Sequence, residues 1–186
     1  MKRLFVAIKL TPDDNTLSVY NSLRKAFSSD TMRWVEPSML HLTFKFIGNT
    51  HDSKIPEIIE VIKKTVGSIG KIDFELNKVG VFGSNYNPRV IWFGVSENNK
   101  LQALGLELIN NFDLAGFSKD RQNFVPHFTI ARITKVFDKQ SFNHQIDKVK
   151  SSFLQRARVD RIILFESILS QKSPTYNEIY SITLKD

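Results

Sequence analysis

The sequence predicts a chain of mixed helices and strands folded into two similar lobes, and three observations support this. The tetrad His41-Leu42-Thr43-Phe44 recurs as His127-Phe128-Thr129-Ile130. Apolar runs of strand character alternate with stretches of helical spacing, and the order strand, helix, His-strand, helix, strand occurs twice. A single shift of 86 residues carries His41 onto His127, residues 3–8 onto 89–94, and the start of the first helix onto the region of Asn98. With ten Thr in the chain, chance would place Thr two residues after at least two of the four His in roughly one or two percent of such sequences. The repeat predicts that the two His-strands face each other across a groove near a pseudo-twofold axis.

Residues 3–10 are a short apolar run rich in β-formers, which reads as a buried strand. Thr11 followed by Pro12, Asp13 and Asp14 predicts a helix with Thr11 as N-cap and Pro12 at the first helical position. Leu17, Tyr20, Leu23 and Phe27 keep helical spacing as far as Ser28. Arg33-Trp34-Val35 leads through Glu36-Pro37 into a strand over 40–47, ended by Gly48 and Asn49. Ser53 is placed to cap a second helix with a stripe of Ile55, Ile58, Ile59, Ile62 and Val66. Ile72, Phe74 and Leu76 alternate with polar residues, as in a strand with one wet face. A connection over 83–88 leads to a buried strand at 89–95, and Leu101, Leu104, Leu108 and Phe112 mark a helix ending before Gly116. The second His-strand spans 124–133, and Asp138 or Ser141 opens a fourth helix carrying Phe142, Ile146 and Val149. Residues 159–169 and 176–184 close the chain as a hairpin around Ser173-Pro174.

A chain of 186 residues with 15 Phe and few Gly or Pro has enough apolar surface for one compact unit spanning 1–186. Its net charge of +7 favours an anionic partner such as nucleic acid, although a basic surface also serves plain solubility. The absence of Cys excludes disulfides, thiolate nucleophiles and Cys-ligated zinc, and suits a reducing compartment. The N-terminal apolar run is too short for a signal peptide, and no stretch approaches the ~18 apolar residues of a membrane span. The expectation is a cytoplasmic protein without membrane association, and a monomer, since no long exposed apolar stripe stands out.

In an extended strand residues i and i+2 share a face, so each tetrad presents an imidazole and a hydroxyl together while its alternate residues point inward. Two imidazoles on one substrate divide general-acid and general-base work, which suits displacement at phosphorus. Thr43 and Thr129 would donate to the non-bridging oxygens, and neither a metal nor a nucleotide cofactor is needed. Arg132 offers a permanently charged fork for phosphate, but strict alternation turns it away from His127 unless a bulge or a strand end intervenes. The equivalent offset from His41 is Phe46, which either stacks on a base or packs in the core. His51 and His144 lack Thr at +2 and receive no role. There is no His-Glu-x-x-His or His-x-His pattern, which sets a metal hydrolase aside. The alternative from another class is a non-catalytic RNA-binding module that keeps the basic charge and the cleft.

The paired tetrads, Arg33-Trp34-Val35 with Pro37, Phe46-Ile47-Gly48, Pro88-Arg89-Val90-Ile91-Trp92, and the run from Arg121 through Pro126-His127 to Arg132 resemble the 2H phosphoesterases. More narrowly they are similar to the bacterial and archaeal RNA 2′,3′-cyclic phosphodiesterases, also called 2′-5′ RNA ligases. The likeness runs from Arg3 to about Tyr180, including Phe165-Glu166-Ser167-Ile168-Leu169 and the late Tyr176. It implies an α+β bilobal fold, two antiparallel-rich sheets with outer helices around a central cleft. It also implies metal- and ATP-independent hydrolysis of RNA 2′,3′-cyclic phosphate ends to 2′-phosphomonoesters, with reversible 2′-5′ ligation when a hydroxyl replaces water as the nucleophile. By position His41 would be the proton donor and His127 the proton acceptor, with Thr43, Thr129 and Arg132 on the phosphate and Phe46 on the base. Phe44 and Phe128 stand where that family often has smaller aliphatic residues, a departure that concerns packing.

Overall fold

The computed structural model describes residues 1–186 apart from residue 97, residues 119–122 and residues 171–173. The expectations for Arg121 and for a turn at Ser173 lie outside the described residues. The elements are β1 (Lys2–Lys9), α1 (Asp14–Ala26), β2 (Thr31–Trp34), β3 (His41–Thr50), α2 (Ile55–Val66), β4 (Ile72–Ser84), β5 (Asn87–Val95), α3 (Asn99–Leu114), β6 (His127–Lys135), α4 (Lys139–Val149), β7 (Gln155–Val159), β8 (Arg161–Ile168) and β9 (Thr175–Thr183). The fold is α+β, with two antiparallel sheets ordered β3-β1-β8-β9 and β2-β6-β5-β4-β7.

Each sheet has the same plan, because β1 lies between β3 and β8 as β5 lies between β6 and β4. The helices cross over. α1 packs with α4, joining Phe27 to Phe142 at 4.8 Å, and its N-terminal end binds the β7 region through Asp13 N–H to Gln155 at 3.0 Å. α2 and α3 pack together, with α3 against β3. Leu4, Val6 and Ile8 face the main core, while Phe5 and Ala7 face the other way and join Ile163, Phe165 and Tyr176 in a second apolar cluster. β1 is therefore buried on both faces, which is why it reads as a continuous apolar run.

Several boundaries differ from the sequence expectation. The cap of α1 is Asp13, not Thr11, because its carboxylate accepts from the Thr16 N–H at 2.8 Å and leaves Pro12 outside the helix. Ser53 does not cap α2; a short 3-10 turn over Asp52–Lys54 precedes that helix, and His51 Nδ1 accepts from the Ser53 N–H. Asp138 caps α4 by accepting from the Ser141 N–H. β3 runs through Gly48 and Asn49 to Thr50, and β4 and β5 extend into a hairpin that absorbs most of the expected connection. β2 and β7 are strands that periodicity did not mark, and Val159 belongs to β7 rather than to the final hairpin. Opposite the Thr of each tetrad stand Ala7 and Trp92, so β1 maps onto β5 with an offset of 85 residues and not 86. No helix among the described residues is long and apolar enough to cross a membrane.

Candidate active site

β3 and β6 belong to different sheets yet pack against each other, and the backbone N–H of Val35, just beyond β2, donates to Ile130 O at 2.9 Å. In β3 the alternation begins as expected, with Leu42 and Phe44 buried and His41 and Thr43 half-exposed. Ala7 then pairs with Thr43 and Val6 with Lys45, so Phe44 has no partner across the ladder and the strand bulges. After the bulge the faces swap. Lys45 follows Phe44 inward, and Phe46 emerges on the side of His41. The second copy has the same irregularity: Trp92 pairs with Thr129 and Ile91 with Ala131, leaving Ile130 unpaired. Ala131 turns inward and Arg132 emerges beside His127 and Thr129. The bulge required to bring Arg132 to the cleft is present, and it is present twice.

His41, Thr43, Phe46 and Arg132 line one cavity of about 620 Å³, together with Arg3, Phe5, Arg33, Trp34 and Tyr176. His127, Thr129 and Arg132 line an adjoining cavity of about 700 Å³. The structure thus assembles all six residues singled out in the sequence around two connected halves of a cleft, with Arg132 common to both. Phe46 is 42% exposed, with Phe5 stacked on it at 6.2 Å and the Arg3 guanidinium 4.9 Å from its centroid. It is not a core residue. His51 and His144 line neither half. Among the described residues no three His, Asp or Glu converge as a metal-ligating group.

Each imidazole is oriented by the carbonyl two residues before it: His41 Nδ1–H donates to Met39 O at 2.8 Å, and His127 Nδ1–H to Val125 O at 2.6 Å. A carbonyl only accepts, so the proton of the neutral ring sits on Nδ1 and Nε2 is left as the base. Aromatic rings pack against both imidazoles. Phe5 lies 5.1 Å and Tyr176 4.9 Å from His41, while Phe82 lies 4.7 Å and Trp92 6.2 Å from His127. Burial pushes both imidazoles below the ordinary value of 6.5; the carbonyl bonds oppose this, and the positive charge of Arg132 adds to it at both rings. His127 lowers His41 further.

Several contributors were missed by sequence reasoning. Lys45, which plain alternation would set beside Thr43 as a phosphate cation, is 1% exposed and donates to Asp113 Oδ1 and Ser118 O, each at 2.8 Å. It ties β3 to the end of α3. Arg3, Arg33 and Arg89 line the two halves without an ion pair to any described carboxylate, whereas Arg156, Arg158 and Arg161 pair with Glu75, Asp73 and Glu178. Only the tertiary fold brings these cleft arginines together, since Arg3 sits on β1 of one sheet and Arg33 and Arg89 on β2 and β5 of the other.

The 2′-5′ RNA ligase superfamily model matches residues 11–168. The chain is 32% identical over 149 residues to a protein of Aquifex aeolicus named RNA 2′,3′-cyclic phosphodiesterase, covering 79% of each chain. It is 30% identical over 177 residues to a protein of the same name from Methanocaldococcus jannaschii, covering 95% of this chain and 98% of that one. Among solved structures, E. coli LigT complexed with 3′-AMP superposes with a TM-score of 0.78 at 21% identity, covering 100% of this chain and 99% of that one. A protein of Thermus thermophilus superposes with a TM-score of 0.79 at 22% identity, covering 98% of each.

Proposed function

The chain belongs to the 2′-5′ RNA ligase superfamily, and from that premise we propose that it is a phosphodiesterase that hydrolyses RNA 2′,3′-cyclic phosphate ends to 2′-phosphomonoesters by two-histidine acid–base catalysis. The observation that carries this reading is the paired geometry: two imidazoles, each with Nδ1 held by a backbone carbonyl and Nε2 without a partner among the described residues, flank one arginine that lines both halves of the cleft. The names of the relatives supply the substrate class, and 1–186 acts as one bilobal unit.

The cyclic phosphate sits against Arg132, with the Thr43 and Thr129 hydroxyls donating to its non-bridging oxygens and the terminal base against Phe46. His127 Nε2 takes a proton from water as the water oxygen bonds to phosphorus. The bond from phosphorus to the 3′ oxygen breaks, and protonated His41 delivers its Nε2 proton to that oxygen. A free cleft that disfavours imidazolium charges readily once an anion arrives, because the phosphate offsets part of the burial penalty. Neither ATP nor a metal enters these steps, and the same proton transfers join a cyclic end to a hydroxyl when that hydroxyl takes the place of water. The protein works as a cytoplasmic monomer in this reading.

The test is to incubate the protein with an RNA bearing a 2′,3′-cyclic end, in excess EDTA and without ATP, and to identify the terminal phosphate. The expected product is a 2′-phosphate that His127→Ala abolishes. An untouched cyclic end with tight RNA binding overturns the reading in favour of a non-catalytic RNA-binding module, and turnover only with added metal overturns the two-histidine scheme.

A further inference from the structure

The two carbonyls that orient the imidazoles are themselves held in different ways. Met39 O, the anchor of His41, belongs to a 3-10 turn over Pro37–Met39. Met39 N–H donates to Glu36 O at 2.8 Å and Leu40 N–H to Pro37 O at 3.3 Å, and Leu10 N–H, just beyond β1, donates to Leu40 O at 2.9 Å. The backbone alone keeps that carbonyl in place. Val125 O, the anchor of His127, lies in a stretch, 123–126, that takes part in no such turn or loop backbone bond among the described residues. Side chains from outside hold it instead. Gln102 Nε2, on α3, donates to Phe124 O at 3.1 Å, one peptide before the Val125 carbonyl. The Phe124 ring packs 5.9 Å from Phe44 of β3 and lies so close over α3 that a Cβ at Gly105 would come within 2.1 Å of it. A glycine inside a helix gives up stability relative to alanine, and here it makes the seat that the ring occupies. Pro126 then restricts Val125 to extended backbone, so holding Phe124 leaves the Val125 carbonyl little freedom.

We propose that Gln102 is a positioning residue for His127: its amide, with the Phe124 ring seated between Gly105 and Phe44, fixes the Val125 carbonyl that keeps the His127 proton on Nδ1 and leaves Nε2 as the base. The inference rests on the reading of His127 as the proton acceptor. A neutral imidazole takes up either tautomer when nothing selects one, and the Nε2–H form would turn a donor toward the cleft where the reaction needs an acceptor. Gln102 does this from outside the cleft, since it lines neither half. His41 has no counterpart to this support, because its turn closes on itself, so a change at Gln102 reaches one imidazole and not the other.

The experiment reads the tautomer of each ring by NMR of the imidazole nitrogens, at a pH where both are neutral, beside kcat and KM on a cyclic-ended RNA. Gln102→Met removes the donor and keeps the length of the side chain. The expected result is an Nε2–H population at His127 alone, with kcat down by about tenfold to a hundredfold, the scale of a small misplacement of a catalytic group, and KM little changed. Gly105→Ala, which unseats the Phe124 ring, gives the same signature. Asn111→Ala serves as the control for a merely loosened helix: it removes a bond from α3 to Thr65 of α2 at 2.9 Å and leaves both rings in the Nδ1–H form. A His127 that stays protonated on Nδ1 in Gln102→Met overturns the proposal, and so does a change at both rings or the same change in Asn111→Ala. If the wild type leaves the cyclic end intact, the reading of His127 as a base fails and takes this inference with it.

Discussion

Replacing Arg132 with Met tests whether one guanidinium serves both halves of the cleft. The side chain is exposed and the backbone pairs with Arg33 and Val90 on the two neighbouring strands, so the sheet is kept while the charge is lost. Removing a preorganised donor aimed at developing charge costs about 3–4 kcal/mol, or 10²–10³ in turnover. The same substitution removes a positive charge that lowers both imidazoles, so the His41 and His127 pKa values both rise, yet both stay below the ordinary value because burial remains the larger cause. Arg132→Lys keeps the charge without the fork: the two rings stay low while activity recovers only in part. The assay pairs kcat/KM on a cyclic-ended RNA with NMR titration of the two rings. A kcat/KM within about threefold of wild type, or a shift confined to one ring, refutes the shared role.

Further predictions concern the same cleft. His41→Ala and His127→Ala each lower turnover by about 10²–10⁴, the double variant loses little more than the worse single, and the wild-type rate is bell-shaped in pH; additive losses or a flat profile count against the pair. Because burial holds both imidazoles below their unfolded value of 6.5, the folded state binds fewer protons than the unfolded chain between the two values. Stability present above the unfolded pKa is therefore lost as pH falls through the folded pKa, and urea midpoints drop less on acidification in a His41→Gln, His127→Gln variant than in wild type; parallel drops would contradict the assignment. At Gly80 an added Cβ would lie 2.2 Å from the Trp92 ring, so the indole that packs on His127 would have to shift. Gly80→Ala is expected to cost about 1–3 kcal/mol in denaturant unfolding, with a loss of activity through the Trp92 contact on His127, and a neutral result would show that β4 yields there.

The duplicated tetrad was legible because a period of two puts a His and the Thr that follows it on one face whatever the rest of the fold does. The bulges were not, since Phe44 and Ile130 look like any other core residue and the extra residue only shows when the partner strand is counted. Two consequences follow from that one invisible feature. Lys45 goes inside, and Phe46 and Arg132 come out. Charge also misled the reading at β7, where Arg156 and Arg158 obscured a strand; on a sheet edge they point outward and pair with Glu75 and Asp73. At α1, two competent caps stood two residues apart, and the one that won is the one whose backbone N–H also binds Gln155 across the chain.

A repeated backbone creates a problem that side chains must solve. The proposed reaction needs an acid and a base, yet both imidazoles have the same carbonyl anchor, the same Thr neighbour and the same bulge just beyond it. What differs is what the equivalent positions carry. Phe46 answers to Arg132, Phe5 to Val90 and Ala7 to Trp92, so one half presents an aromatic floor and the other a cation with polar walls. In the proposed reaction an asymmetric substrate satisfies both halves with its base on the rings of the first and its incoming nucleophile in the second. Under the proposed mechanism the direction of proton flow is set by how the RNA lies in the cleft, and two nearly identical imidazoles take opposite roles without any difference between their motifs.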